Sequence, residues 1–189
     1  MTTVSIIGNG NMGTAIGGIV AAGGNTVEYV GRDTDAITGD IVILAVPYPS
    51  VAEIVAARGA QLAGKVVVDI TNPLDFETFD SLVVPADGSA AAVIAAALPE
   101  SRVLKAFNTN FAATLASKTV GEQPTTVLIA GDDDLAKQAL ADVVRAGGVK
   151  AVDAGKLSRA RELEAIGFLQ LTLAVQEQIG WNAGLALVA

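Results

Sequence analysis

The stretch Val4-Ser5-Ile6-Ile7-Gly8-Asn9-Gly10-Asn11-Met12-Gly13 reads as a buried strand that turns sharply into a helix. Each glycine has a separate task. Gly8 allows the tight turn out of the strand, Gly10 lets the backbone approach a pyrophosphate closely, and Gly13 lets the helix over residues 11–23 pack against the strand. The free amides at that helix start then face the anion. The surroundings support this reading, because a helix-period apolar run (Met12, Ala15, Ile16, Ile19, Val20) follows at once. A second strand, Thr26 to Val30, comes at the spacing of a strand–helix–strand unit. A dinucleotide site built on Gly8, Asn9, Gly10, Asn11, Met12 and Gly13 is the expectation.

The end of the second strand predicts which dinucleotide. Sites made for NAD place an acidic residue there, against the ribose 2′-hydroxyl. Here the place is held by Gly31-Arg32. With no carboxylate to repel a 2′-phosphate and a guanidinium able to grip it with two parallel hydrogen bonds, NADP(H) is expected over NAD. Asp33 keeps an alternative open, in which Arg32 is a solvated loop residue neutralised by its neighbour. Thr34 adds a hydroxyl.

Composition narrows the chemistry. The 189 residues are 51% apolar, enough for one sizeable core, and contain neither cysteine nor histidine. That removes thiolate chemistry, the commonest general acid/base and the commonest transition-metal ligand together. Hydride transfer between two cofactors, which needs little proton movement, fits such a chain. The net charge of −8 argues against nucleic acid and anionic membrane surfaces as partners. No apolar run reaches membrane-spanning length and no leader pattern is visible, so the cytoplasm is the expected location.

Along the rest of the chain, residues 32–39 are too few for a crossover helix before the third strand, Asp40 to Val46. That strand delivers Ala45, Val46, Pro47 and Tyr48 to the cofactor crevice, to line pyrophosphate and ribose, or else simply ends in a turn. A helix over 50–62 and a fourth strand over 66–70 lead to Thr71-Asn72-Pro73, where the Asn72 carboxamide and the stiff Pro73 suit the nicotinamide half. The connection from Leu74 to Pro85 is either a lid or a surface loop whose Phe76 and Phe79 tuck into the core. Ser89 caps an alanine-rich helix to Leu98. The fifth strand, Arg102 to Phe107, ends in Asn108-Thr109-Asn110 and carries Lys105, which faces the crevice or snorkels from an edge. Asn72, Asn108 and Lys105 are the catalytic candidates. After a sixth strand over 125–130, Asp132, Asp133 and Asp134 read as helix caps and not as a metal site. No metal is expected. A last strand, from Lys150, delivers Lys156, Arg159 and Arg161 to the start of the final helix, as an acceptor-binding anion site or as partners of Glu162 and Glu164. That helix, over 163–179, is apolar around most of its circumference and predicts a homodimer contact.

Together these elements predict an α/β, Rossmann-type doubly wound, mainly parallel sheet with a C-terminal helical appendage. Residues 1–155 would form the NADP-binding part and 156–189 a helical segment packing on it and on a dimer partner, within one structural unit.

Gly8 to Gly13, Gly31-Arg32, Val46-Pro47-Tyr48, Asp69-Ile70-Thr71-Asn72-Pro73, Lys105-Ala106-Phe107-Asn108-Thr109, and Gly155-Lys156-Leu157 with Arg159 to Leu163 carry a resemblance in order and spacing. The chain resembles the NADP oxidoreductases that use the 8-hydroxy-5-deazaflavin coenzyme (F420). It is also similar to the oxidoreductase domain of membrane ferric reductases, which pass hydride from NADPH to a flavin. The resemblance implies a homodimer, NADP at Gly8 to Gly13 and Arg32, and hydride exchange with a deazaflavin, or with FMN or FAD, as a small-molecule redox co-substrate. Two rival readings stay open: an NADP-binding sensor without turnover, and a reductase of a small carbonyl or imine with Lys105, Tyr48 or a carboxylate as proton donor.

Overall fold

The computed structural model describes residues 1–188. In chain order its elements are β1 (Thr3–Ile7), α1 (Asn11–Ala22), β2 (Thr26–Val30), β3 (Ile41–Leu44), α2 (Val51–Leu62), β4 (Val66–Asp69), α3 (Ala90–Ala97), β5 (Arg102–Ala106), α4 (Ala112–Ser117), β6 (Thr119–Val120), β7 (Gln123–Pro124), β8 (Thr126–Gly131), α5 (Asp134–Ala146), β9 (Lys150–Gly155) and α6 (Ala160–Val175). A seven-stranded sheet runs β2-β1-β3-β4-β5-β8-β9. Its first five strands are parallel; β8 joins β5 antiparallel and β9 follows β8 in parallel. The fold is the expected Rossmann-type one. Strand order reverses at β1, which pairs with β2 on one side and β3 on the other. In open α/β sheets such a switch point opens a crevice at the carboxyl ends of the strands.

Strands covered on both faces should be apolar without alternation, and Ile41, Val42, Ile43 and Leu44 are all at most 1% exposed. Each such side chain adds about 1.5–3 kcal/mol by leaving water. One face of the sheet packs Ile16, Ile19 and Val20 of α1, Leu115 of α4 and Leu140 and Val144 of α5. The other packs Val51 and Leu62 of α2 and Ile94 of α3. Residues 31–40 contain no helix, as their number predicted.

Several expectations are corrected. The phenylalanines of the 74–85 connection are not tucked into the core: Phe76 is 52% exposed and meets Phe79 edge-on at 5.7 Å. The segment after Asn110 holds α4 and the short β6–β7 hairpin, which no sequence signal had marked. The final helix ends at Val175, where Glu177 adopts a left-handed φ of 57°, four residues before its predicted end. Its inward stripe is Ala160, Leu163, Glu164, Gly167, Gln170 and Ala174, with two polar residues and a glycine where large apolar groups were expected. Leu169 and Val175 face solvent. Of the predicted appendage, Ala189 lies outside the described residues.

The three aspartates at the start of α5 have separate partners. Asp133 accepts from Ala136 N as the helix cap, Asp132 accepts from Leu157 N, and Asp134 pairs with Lys137 at 3.0 Å. Among the described residues no helix is long and apolar enough to cross a membrane.

Candidate active site

At the switch point, Gly8 leaves β1 with a φ of 108°, a conformation that suits glycine, and a Cβ there would collide with the carbonyl oxygen of Ala45. Gly13 is buried against the Gly8 carbonyl in the same way. These two glycines let the β1–α1 turn lie directly against the end of β3. Gly10 is different, since open space surrounds its missing side chain. It precedes α1 without any side-chain cap, and no acidic residue stands in the first turn. The first amides of α1 are therefore uncapped donors at the positive end of a helix dipole.

Around this turn the predicted residues gather. Asn9, Gly10 and Asn11 are exposed and Met12 is half-buried; Ala45, Val46 and Tyr48 are half-buried, with Pro47 exposed. Gly31, Arg32 and Asp33 stand exposed at the end of β2. Arg32 makes no ion pair with Asp33 among the described residues, so local neutralisation is not the role of that aspartate here.

The polar ends of β4 and β5 form one unit. Asn72 Nδ2 donates to the Asn108 carbonyl at 2.9 Å, and Asn108 Nδ2 donates to Asn72 Oδ1 at 2.9 Å and to the Leu163 carbonyl at 2.8 Å. Phe107 takes a left-handed φ of 62° just before, a costly conformation for a side chain that is 1% exposed, and it redirects the chain so that Asn108 faces its partner. Pro73 is buried behind Asn72. Asn108 Oδ1 and Asn110 Oδ1, both buried, have no hydrogen-bond partner among the described residues.

Lys105 is neither crevice-facing nor snorkelling. It is 0% exposed, and its Nζ lies 2.8 Å from Asp69 Oδ2, 2.8 Å from Glu164 Oε1 and 2.6 Å from the Thr71 carbonyl. A central strand leaves an ammonium no path to water, so it is held by two carboxylates and a carbonyl. Asp69 also accepts from Thr71 N at 2.8 Å. The pair thereby grips both ends of Thr71 and fixes the start of the Asn72 loop. Glu164 continues the network to α3, accepting from Ala90 N at 2.9 Å and Ala91 N at 3.3 Å. Burial raises the Glu164 carboxyl above its ordinary value, against the pull of Lys105 and the α3 amide, with Asp69 adding to the rise. Tyr48 is also raised, by burial and then by the charges of Glu164 and Asp69. Enclosed in this way, Lys105 does not face the crevice and is not placed to hand a proton to a carbonyl or imine substrate there.

Beside the asparagine pair opens a cleft of about 860 Å³ between α1 and α4. Asn11, Met12, Asn72 and Asn108 line it, as do Ala15 and Gly18 of α1 and Ala112, Ala113 and Ala116 of α4, with Leu171 and Trp181 from the C-terminal part. Trp181 leans on Phe111 with ring centres 5.1 Å apart. Among the described residues, Lys118 is the one charged residue on its wall. Lys156, Arg159 and Arg161 do not reach it; Arg159 and Arg161 lie 3.5 and 3.9 Å from Glu162, the local pairing that was the alternative for this cluster. Sequence reading missed the cleft because α4, Lys118 and Trp181 carry no motif. The Lys105–Asp69 pair did leave a signal, since opposite charges close two neighbouring apolar strands.

Residues 25–73 match the model of the family described as NADP oxidoreductase coenzyme F420-dependent. The F420-dependent NADP reductase of Methanothermobacter marburgensis is 32% identical over 187 residues, covering 89% of this chain and 81% of that protein. The chain belongs to the family of coenzyme F420-dependent NADP oxidoreductases. The Methanocaldococcus jannaschii member is 33% identical over 142 residues, 73% of this chain and 63% of the relative's length. The rat metalloreductase STEAP3 is 34% identical over 133 residues, which is 70% of this chain and 26% of that protein. A solved structure from Arthrobacter sp. FB24, a proposed F420-dependent NADP reductase, superposes with a TM-score of 0.86 over the full length of both chains at 24% identity, and speaks for the fold.

Within the family frame, α6 presses closely on the asparagine pair. A Cβ on Gly167 would collide with Asn72 Oδ1. Gly167→Ala is expected to lower turnover by about tenfold while leaving binding of the adenosine end unchanged, measured by steady-state kinetics beside titration with adenosine 2′,5′-bisphosphate.

Proposed function

We propose that the protein is an NADP(H)-dependent oxidoreductase that moves hydride between the nicotinamide ring and a planar deazaflavin or flavin acceptor. The observation that carries the reading is the asparagine pair at the meeting of two spaces, the glycine-lined switch point on one side and the α1–α4 cleft on the other. The residues fit a dinucleotide. Uncapped α1 amides suit a pyrophosphate, open space at Gly10 leaves room for its approach, and the unpaired Arg32 suits a 2′-phosphate. NADP(H) supplies the hydride; the protein supplies binding and alignment. Asn72 and Asn108, locked by each other and by the Leu163 carbonyl, orient the nicotinamide. Pro47 and Pro73 stiffen the walls. The apolar cleft takes the acceptor ring and excludes water, with Lys118 as the cation nearest its charge.

The proposal extends to a cytoplasmic homodimer joined through α6, whose Leu169 and Val175 are 55% and 42% exposed in the single chain. The test is titration with NADPH and NADH, followed by turnover with deazaflavin, FMN or FAD. Preference for NADPH with acceptor reduction well above the protein-free rate is expected; reduction of none of the three would overturn the reading.

A further inference from the structure

Residues 31–40, where a crossover helix is absent, have no regular structure, yet their main chain is held from α2. Arg58 Nη1 donates to the Thr34 carbonyl at 2.8 Å, and its Nη2 donates to the Gly31 and Arg32 carbonyls, each at 3.1 Å. One helical turn on, Gln61 Oε1 accepts from Ile37 N at 3.0 Å and Gln61 Nε2 donates to the Asp35 carbonyl at 3.3 Å. Thus a single guanidinium collects three carbonyls of the segment that carries Arg32. The chain has no cis peptide, so a carbonyl turned toward α2 turns the amide of the next residue away from it. The N–H groups of Arg32, Asp33 and Asp35 therefore point to the side of the loop opposite α2. None of the three has a hydrogen-bond partner among the described residues. Thr34 Oγ1 accepts from Gly31 N at 2.9 Å, which leaves its own proton for an outside acceptor.

We infer that Arg58 is a positioning residue that selects a 2′-phosphorylated dinucleotide without touching the phosphate. By drawing the carbonyls inward it holds the main-chain amides outward, as a small anion-binding concavity beside the Arg32 guanidinium and the Thr34 hydroxyl. This rests on the NADP reading above. The task needs arginine, because a planar fork reaches three carbonyls at fixed angles and a lysine ammonium is a point donor. The two neighbouring aspartates would otherwise repel a phosphate, so the geometry of the amides decides preference here.

The experiment is calorimetric titration of the full chain with adenosine 2′,5′-bisphosphate and with 5′-AMP, for the wild type, Arg58→Ala, Arg58→Gln and Arg58→Lys, with melting temperatures alongside. Arg58→Ala and Arg58→Gln are expected to weaken the bisphosphate by about tenfold or more and 5′-AMP by less than about threefold. Arg58→Lys, which keeps the charge, is expected to recover only a minor part of the preference. Equal weakening of both ligands would make Arg58 a general brace and overturn the inference, as would unchanged affinities in the glutamine variant if the alanine variant fails to fold. Full rescue by lysine would overturn it too, in favour of charge alone. A wild type with no preference for the bisphosphate overturns the NADP reading itself, a result distinct from a preference that Arg58→Ala leaves intact.

Discussion

Lys105→Met is expected to destabilise the protein by about 3–5 kcal/mol, the cost of leaving buried carboxylates without their cation. In a chain of this size that lowers the melting temperature by roughly 10 °C. Asp69 and Glu164 are 0% and 1% exposed, so neither can turn to water when the ammonium is removed. The loss also reaches the site, because Lys105 holds the Thr71 carbonyl one residue before Asn72. Thermal melts of Lys105→Met and of Lys105→Met with Glu164→Gln check the argument: the second change removes one stranded charge and should restore part of the stability. Glu164 adds a pH dependence of known sign. Its native carboxyl keeps its proton above the ordinary value of 4.5, so the native state binds more protons than the unfolded chain in that window. This group's contribution to stability is complete below the unfolded value and is lost as pH rises through the raised native value. Glu164→Gln should flatten that part of a stability–pH curve; an unchanged slope would assign it to other groups.

Gly8→Ala is expected to abolish measurable NADPH binding, a loss of about a hundredfold or more, and to lower stability by about 2–3 kcal/mol. Two costs combine. The φ of 108° disfavours any side chain, and the added Cβ would collide with the Ala45 carbonyl, which belongs to backbone. Relief requires β1 and β3 to separate at the point where the crevice opens, so fold and site fail together. Gly13→Ala should behave similarly through the Gly8 carbonyl. Gly18→Ala is the control: it lies on the same helix with nothing within 4 Å of the new Cβ, so stability should hold or rise by up to about 1 kcal/mol with NADPH affinity retained. A melt and a titration on each variant decide it, and equal losses at Gly8 and Gly18 would refute the steric account.

Local rules made much of the molecule legible in its sequence. The apolar run from Val4 to Ile7 followed by Gly8, Gly10 and Gly13 specifies strand, turn and helix from residue-level physics, and the helix caps at Ser89 and Asp133 follow from hydroxyl and carboxylate chemistry. The short span between β2 and β3 excluded a crossover helix by length alone. Arg32 was visible as a candidate because its place at the end of β2 is set by the same spacing.

The remainder depends on pairs far apart in the chain. Lys105 reads as a costly charge in a strand until the register sets it against Asp69 and α6 brings Glu164 over it, 59 residues later in number. The role of Arg58 is invisible in a helix of ordinary composition, because its partners are main-chain carbonyls that any sequence would offer. The same holds for the cleft, whose walls are the alanines and glycines of two helices. Sequence by itself determined the strand–turn–helix frame, the dinucleotide crevice and the absence of histidine and cysteine chemistry, since these depend on neighbours in the chain. Only the tertiary structure decided which charges are buried, which carbonyls a guanidinium collects and where a cleft opens beside the asparagine pair, because burial and hydrogen-bond geometry are properties of surfaces brought together by packing.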